Sequence, residues 1–186
     1  MSRFRLPDTP EDRFEALYTE QYGPVLGYVL RRAPASVAPD VVADVFLVAW
    51  RRLDDVPDDP LPWLLGVARK ALANERRGGS RRAALLGALE ETTLGHEREI
   101  PADERLLELT HSVACLGEAD RELLRLIAWD GLTTREAAVV LGITHVACRV
   151  RLHRVRRRLA CDLGAENEIR PLVGGVGRFD AGKEVR

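Results

Sequence analysis

Apolar positions recur at spacings of three and four along most of the chain, and strand-like alternation is scarce, so its elements read as helices. Thr9, followed by Pro10, Glu11 and Asp12, starts a helix expected to run to about Tyr22. Gly23 and Pro24 are expected to stop it and to open a second helix through about Arg32. Beyond a loop at 34–38, Pro39 opens a third helix that ends near Leu53, with Val42, Phe46, Ala49 and Leu53 as its core stripe. Asp40, Asp44, Leu47 and Arg51 share another face of that helix. The segment DDVPDDP (Asp54, Asp55, Val56, Pro57, Asp58, Asp59, Pro60) reads as a non-helical acidic loop. A fourth helix, LPWLLGVARKALANERR, runs to Arg77. Its Leu64, Val67, Ala68, Ala71 and Leu72 point inward, while Trp63, Gly66, Lys70, Asn74 and Arg77 share an outer face. Gly78, Gly79 and Ser80 are expected to end this four-helix domain.

Residues 79–103 lack sustained periodicity and read as a linker, with room for a short helix at 81–89. A second domain follows, with helices expected near 104–116, 118–129, 134–141 and 145–159. Thr133 and Glu136 have the spacing of a capping box, in which hydroxyl and carboxylate satisfy each other's orphan amides. Gly142 suits the left-handed residue that ends a helix, and Thr144 can cap the next one. Cys148, Leu152, Val155 and Leu159 then make one apolar stripe. The rest of that helix carries Arg149, Arg151, Arg154, Arg156, Arg157 and Arg158, with no acid between Gly142 and Leu159. A helix-turn-helix whose second helix has one buried seam and a cationic remainder suits the DNA major groove. Residues 164–186 read as a Gly-rich flexible tail.

Composition fits this all-α picture of two small helical domains, 9–78 and 104–163, joined by a linker. Of 186 residues, 31% are charged and only 5% aromatic, so each core must be aliphatic and modest. The formal net charge of -1 argues against blanket polyanion binding. The charge is nevertheless segregated, basic on the last helix and acidic at 54–59 and 90–104, which suggests local DNA contacts beside protein-binding surfaces. Three cysteines without framework spacing fit a reduced cytoplasm. The sequence has no run of about 18 apolar residues and no secretory-leader pattern, so no membrane partner is expected.

DVFLVAWRRL followed by PWLLGVARKALANERR resembles the sigma-2 domain of the extracytoplasmic-function (ECF) sigma factors of bacterial RNA polymerase. CLGEADRELLRLIAWDGLTTREAAVVLGITHVACRVRLHRVRRRL resembles their sigma-4 domain without a gap. The likeness covers about 14–77 and 106–159. It implies a specificity subunit that docks on the polymerase core, recognises and melts the −10 promoter element, and reads the −35 element. The Asp40, Asp44, Leu47 and Arg51 face would meet the clamp helices of the β′ subunit, and the sigma-4 domain would sit on the β flap. The 54–60 loop would hold a flipped base, with Trp63 beside it at the helix start, while Lys70, Asn74 and Arg77 face −10 DNA. Arg149, Val150, His153 and Arg154 would enter the −35 major groove, with Arg151, Thr133, Thr134 and Arg135 on phosphates. An anti-sigma factor is a further partner found in the family.

The sequence departs from the family at the start of the recognition helix, usually Pro-Gly-Thr-Val-Lys-Ser but here His145-Val146-Ala147-Cys148-Arg149-Val150. Hydroxyls are lost at Ala147 and Val150, and Val146 and Val150 favour apolar contact, for example with a thymine methyl. Ala43, Val48 and Lys70 stand where Gln, Arg and Asn are common. Promoter sequences therefore do not transfer from relatives.

Other chemistries compete with plainer readings of the same residues. His111 with Cys115, and His145 with Cys148, could each chelate zinc from one helix face, but a buried thiol beside a surface imidazole accounts for both pairs. The loop aspartates lack EF-hand spacing and read as solvated acids. Trp50 and Trp129 are expected in the core, with Trp63 open between packing and base stacking. No nucleophile–base pair, phosphate-binding glycine loop or metal motif occurs, so no enzyme, cofactor or metal site is expected. The alternatives are a conventional dimeric helix-turn-helix regulator and an adaptor that does not bind DNA.

The acidic linker can compete with DNA for the basic helix. The full chain is therefore expected to bind a promoter fragment more weakly than residues 103–163 alone, with affinity falling steeply as salt rises. Titration of both against one fragment at two salt concentrations checks this, and equal affinities would remove the masking.

Overall fold

The computed structural model describes residues 9–85 and 104–162. The chain divides into two compact units, Met1–Gly95 and His96–Arg186. The expected tail and most of the expected linker lie outside the described residues. No strand occurs among the described residues, and no helix there is long and apolar enough to cross a membrane.

The first unit holds α1 (Pro10–Leu30), α2 (Ala38–Arg51), a 3-10 turn (Leu53–Asp55) and α3 (Pro60–Leu85). The three α-helices pack on one another around Val25, Val29, Val42, Phe46, Leu64 and Ala68. Thr9 caps α1 as expected, accepting from the Asp12 amide at 3.1 Å. The expected break at Gly23-Pro24 is absent: α1 runs straight through Pro24, leaving three α-helices where four were expected. Proline removes one helical hydrogen bond and crowds the preceding residue's Cβ, but Gly23 has no Cβ. Both residues are exposed, so water can solvate the freed carbonyl.

A second correction lies at the other end of the unit. The Gly78-Gly79-Ser80 triplet does not end α3, which continues to Leu85 through the first part of the expected linker helix. A mid-helix glycine costs about 1 kcal/mol, a penalty that the good helix formers on either side can carry. Between α2 and α3, the acidic segment is not wholly non-helical. Its start closes a 3-10 turn and Pro60 is the first residue of α3. Val42, Phe46, Ala49 and Leu53 are buried as expected.

The second unit comprises α4 (Glu104–Ala114), α5 (Glu118–Ala128), α6 (Thr134–Leu141) and α7 (His145–Asp162). Those bounds lie within three residues of expectation. Its core joins Leu116, Leu123, Leu126, Ala137 and Val140 to the α7 stripe of Cys148, Leu152, Val155 and Leu159. Two glycines at φ +67° shape it. Gly131 lets the chain turn back after α5, so that Leu132 is buried and its amide donates to the Leu126 carbonyl at 3.0 Å. Gly142 closes α6, and the Ile143 amide donates back to the Ala138 carbonyl at 3.0 Å.

Two glycine substitutions separate conformational strain from space. A Cβ on Gly142 or on Gly78 would meet nothing within 4 Å, but only Gly142 has a positive φ. Gly142→Ala is expected to cost roughly 1–2 kcal/mol. Gly78→Ala, inside a helix, is expected to gain roughly 0.5–1 kcal/mol. Denaturant midpoints of the two variants check the opposite signs.

Candidate nucleic-acid interface

The helix-turn-helix is held by a short series of local bonds. The Thr133 amide donates to Glu136 Oε2 at 2.6 Å, and the Glu136 amide donates to Thr133 Oγ1 at 3.3 Å, completing the capping box. Thr144 Oγ1 accepts from the Ala147 amide at 3.2 Å, capping α7 as expected. Thr134 and His145 share a side-chain hydrogen bond of 3.0 Å that ties the start of α6 to the start of α7. Thr134 and His145 are half-buried, whereas Thr133 and Arg135 are exposed.

The α7 arginines do not form a uniform cationic remainder. Arg151 pairs with Asp120 of α5 at 3.4 Å, Arg156 has a buried Nε, and Arg158 donates to the Cys115 carbonyl at the end of α4 at 3.4 Å. Arg151 and Arg158 are thus tied to the second unit itself, the latter as a cation at a helix C-terminus. Arg149, Arg154 and Arg157 are exposed together with His153, Val146 and Val150. The stripe of Cys148, Leu152, Val155 and Leu159 is buried on the opposite side, so the outer arc is available to a ligand. Arg157 enters the sequence reading only as one of the basic run, not as a base or phosphate contact, although it lies three residues beyond Arg154 and seven beyond Val150, on the same face.

Two expectations about tryptophan are overturned. Trp129 is 68% exposed because it caps α5 while Leu132 takes the core position beyond the turn. Trp50 is 41% exposed and rests edge-on against Phe14, with ring centroids 5.1 Å apart. Trp63 is half-buried, with the Arg52 guanidinium 5.8 Å from its ring centroid. Tyr18, which shares Phe14 with Trp50, is exposed as well and stands 4.7 Å from the Phe46 ring. That aromatic edge of the first unit did not emerge from helical spacing, which places only single residues.

The acidic segment is fastened at its start. Arg13 of α1 reaches Asp54 Oδ1 at 3.2 Å and the Leu53 carbonyl at 3.4 Å. Arg52 holds Asp55 Oδ2 at 2.9 Å. Such exposed pairs contribute little stability. Val56 is half-buried, whereas Pro57, Asp58 and Asp59 are exposed. On α3, Lys70, Asn74 and Arg77 are exposed one turn apart, and the Arg77 guanidinium donates to Asn74 Oδ1. On α2, Asp40, Asp44, Leu47 and Arg51 are all exposed, in an arc that the hydrophobic core does not use.

Neither histidine–cysteine pair makes a ligand set. Cys148 faces the core while His145 bonds Thr134, and His111 Nε2 stands 3.8 Å from Cys115 Sγ without a third candidate ligand among the described residues.

Fold and surface thus define a two-unit helical protein with a helix-turn-helix that carries an exposed basic face, and comparison with known proteins gives the family. The family description "Sigma-70, region 4" matches residues 106–159. The RNA polymerase sigma factor NccH of Alcaligenes xylosoxydans is 32% identical over 151 residues, 75% of this chain and 81% of NccH. The sigma factor CnrH of Cupriavidus metallidurans is 34% identical over 148 residues, covering 73% of this chain and 78% of its own. CnrH solved with the cytosolic domain of CnrY superposes with a TM-score of 0.54 at 26% identity, over 86% of this chain and 92% of that one. The sigma factor RpoE, solved with the anti-sigma factor NepR from Bartonella quintana, is alike in fold, with a TM-score of 0.57 at 20% identity over 82% of this chain and 98% of that one.

The chain belongs to the ECF sigma factors of RNA polymerase, and its function is to direct transcription initiation at promoters. Its relatives are regulatory transcription factors rather than enzymes.

The cysteines allow a check on how α7 is seated. Burial pushes the Cys148 thiol up, against a smaller downward pull from the Arg151 charge. Cys115 and Cys161 are exposed. A thiol reagent is expected to modify those two in the folded protein and Cys148 only after unfolding. Modification of all three at one rate would place the stripe elsewhere.

Proposed function

We propose that the second unit reads the −35 element through the outer arc of α7, and that the first unit docks on the polymerase core and opens the −10 region. The observation that carries this reading is the cationic arc of Arg149, Arg154 and Arg157, with His153 among them, opposite a buried stripe. Arg149 would make the bidentate contact to guanine N7 and O6, while Arg154 and Arg157 neutralise phosphates with Arg135 at the start of α6. Thr133 and Thr134 would approach phosphates through the same helix start. Arg151 differs from the other arginines, because Asp120 already holds it and it would reach a phosphate only from the edge of the arc.

In the first unit, the Asp40, Asp44, Leu47 and Arg51 arc of α2 would meet the clamp helices of the β′ subunit, while the second unit sits on the β flap. The 54–60 loop, fastened by Arg13 and Arg52, would offer Val56, Pro57, Asp58 and Asp59 to a base turned out of the non-template strand. An extruded base costs less to hold where the loop supplies hydrogen bonds to it. Trp63, Lys70, Asn74 and Arg77 would line the adjoining path of −10 DNA. This work takes place in the cytoplasm and involves no covalent chemistry. An anti-sigma factor is a further proposed partner, since RpoE has been solved with one.

Separate variants test the division of labour. Arg149→Ala is expected to weaken closed-complex binding by about 1–3 kcal/mol while a pre-opened bubble template is still used. Asn74→Ala and changes at Asp58 and Asp59 are expected to slow opening, read as permanganate reactivity of the melted strand. Asp44→Arg with Leu47→Glu should reduce co-purification with polymerase without loss of helicity. Arg149→Ala that abolished activity on the bubble template, or undiminished co-purification of the α2 variant, would contradict the assignment.

A further inference from the structure

We infer that Val146 and Val150 read pyrimidine C5-methyl groups in the −35 element and set this chain's own promoter preference. The inference rests on the reading of α7 as the −35 helix. Val146 is 70% exposed and Val150 45%, the one near the tip of α7 and the other one turn further on. Four residues apart, they share one arc on the side away from Cys148 and Leu152, so the fold has no use for them. Single exposed apolar residues are ordinary. Here two β-branched ones stand together inside a cationic surface formed by Arg149, Arg154 and Arg157.

The surroundings identify the occupant. A protein partner covering the pair would have to neutralise the arginines around it, whereas DNA brings phosphates on both sides of its groove. The first turns of a recognition helix lie nearest the base edges. That end of α7 is set by the Thr144 cap and the Thr134–His145 bond. The apolar group on a major-groove edge is the C5-methyl of thymine, or of a methylated cytosine. Four helical residues rise about 6 Å, close to two base steps of about 3.4 Å, so the two valines can meet methyls about two steps apart.

The test uses polymerase core carrying the full chain. The holoenzyme first selects its binders from promoter fragments randomised across the −35 element. Each enriched thymine is then replaced by deoxyuridine, which removes only the methyl. Binding is expected to weaken roughly threefold to fivefold at one or two positions. That discrimination should disappear in Val146→Ser and Val150→Ser, whose helicity and melting are compared with the parent.

Placing deoxycytidine and 5-methyldeoxycytidine at the same position distinguishes the methyl sources. Rescue by the methylated base means the methyl is read by itself, and no rescue restricts the contact to thymine; both support it. Deoxyuridine bound as well as thymidine at every selected position would overturn the inference. Serine variants that discriminate like the parent would overturn it too. If no −35 sequence were enriched at all, the reading of α7 itself would fall, and the inference with it.

Discussion

The second unit depends on the constraint that α7 must be held firmly while one of its faces stays free. Four side chains, Cys148, Leu152, Val155 and Leu159, provide the hold by burying one narrow stripe. At roughly 1.5–3 kcal/mol for a fully buried aliphatic side chain, that seam outweighs any single polar contact of the helix. The left-handed turn at Gly142, the capping box before α6 and the Thr134–His145 bond then fix the direction in which α7 leaves α6. The outer arc is exposed because the stripe opposite it is buried.

The same economy governs the first unit. One arc of α2 is fully committed to α1 and α3, which leaves Asp40, Asp44, Leu47 and Arg51 outside. The acidic loop is neither a regular element nor a loose tether. Arg13 and Arg52 fasten its first two acids, and Arg52 also lies over Trp63, so the loop departs from a defined place beside the start of α3.

Much of this was legible in the sequence where a local rule and a packing rule agreed. The capping box, Gly142, the Thr144 cap and the α7 stripe each combine both signals, and each is found as read. The misreadings fall where a local rule stood alone. Pro24 and Gly78 are helix breakers by propensity, yet both lie within helices whose remaining residues outweigh one poor position. Trp50 and Trp129 were placed by size and apolarity, but Phe46 and Leu132 occupy the core beside them. The arginines of α7 are alike in sequence, and only their neighbours Asp120 and the Cys115 carbonyl distinguish structural cations from free ones. Those partners lie 31 and 43 residues away along the chain, beyond the reach of any helical spacing rule.

The two proposed surfaces, one for polymerase and one for DNA, matter together only if the chain redirects initiation. Run-off transcription from genomic DNA of the source organism, by its purified polymerase core with and without the full chain, tests this directly. The chain is expected to add a discrete set of start sites that share one −35 and one −10 sequence. Identical start sites with and without the folded chain would contradict the account.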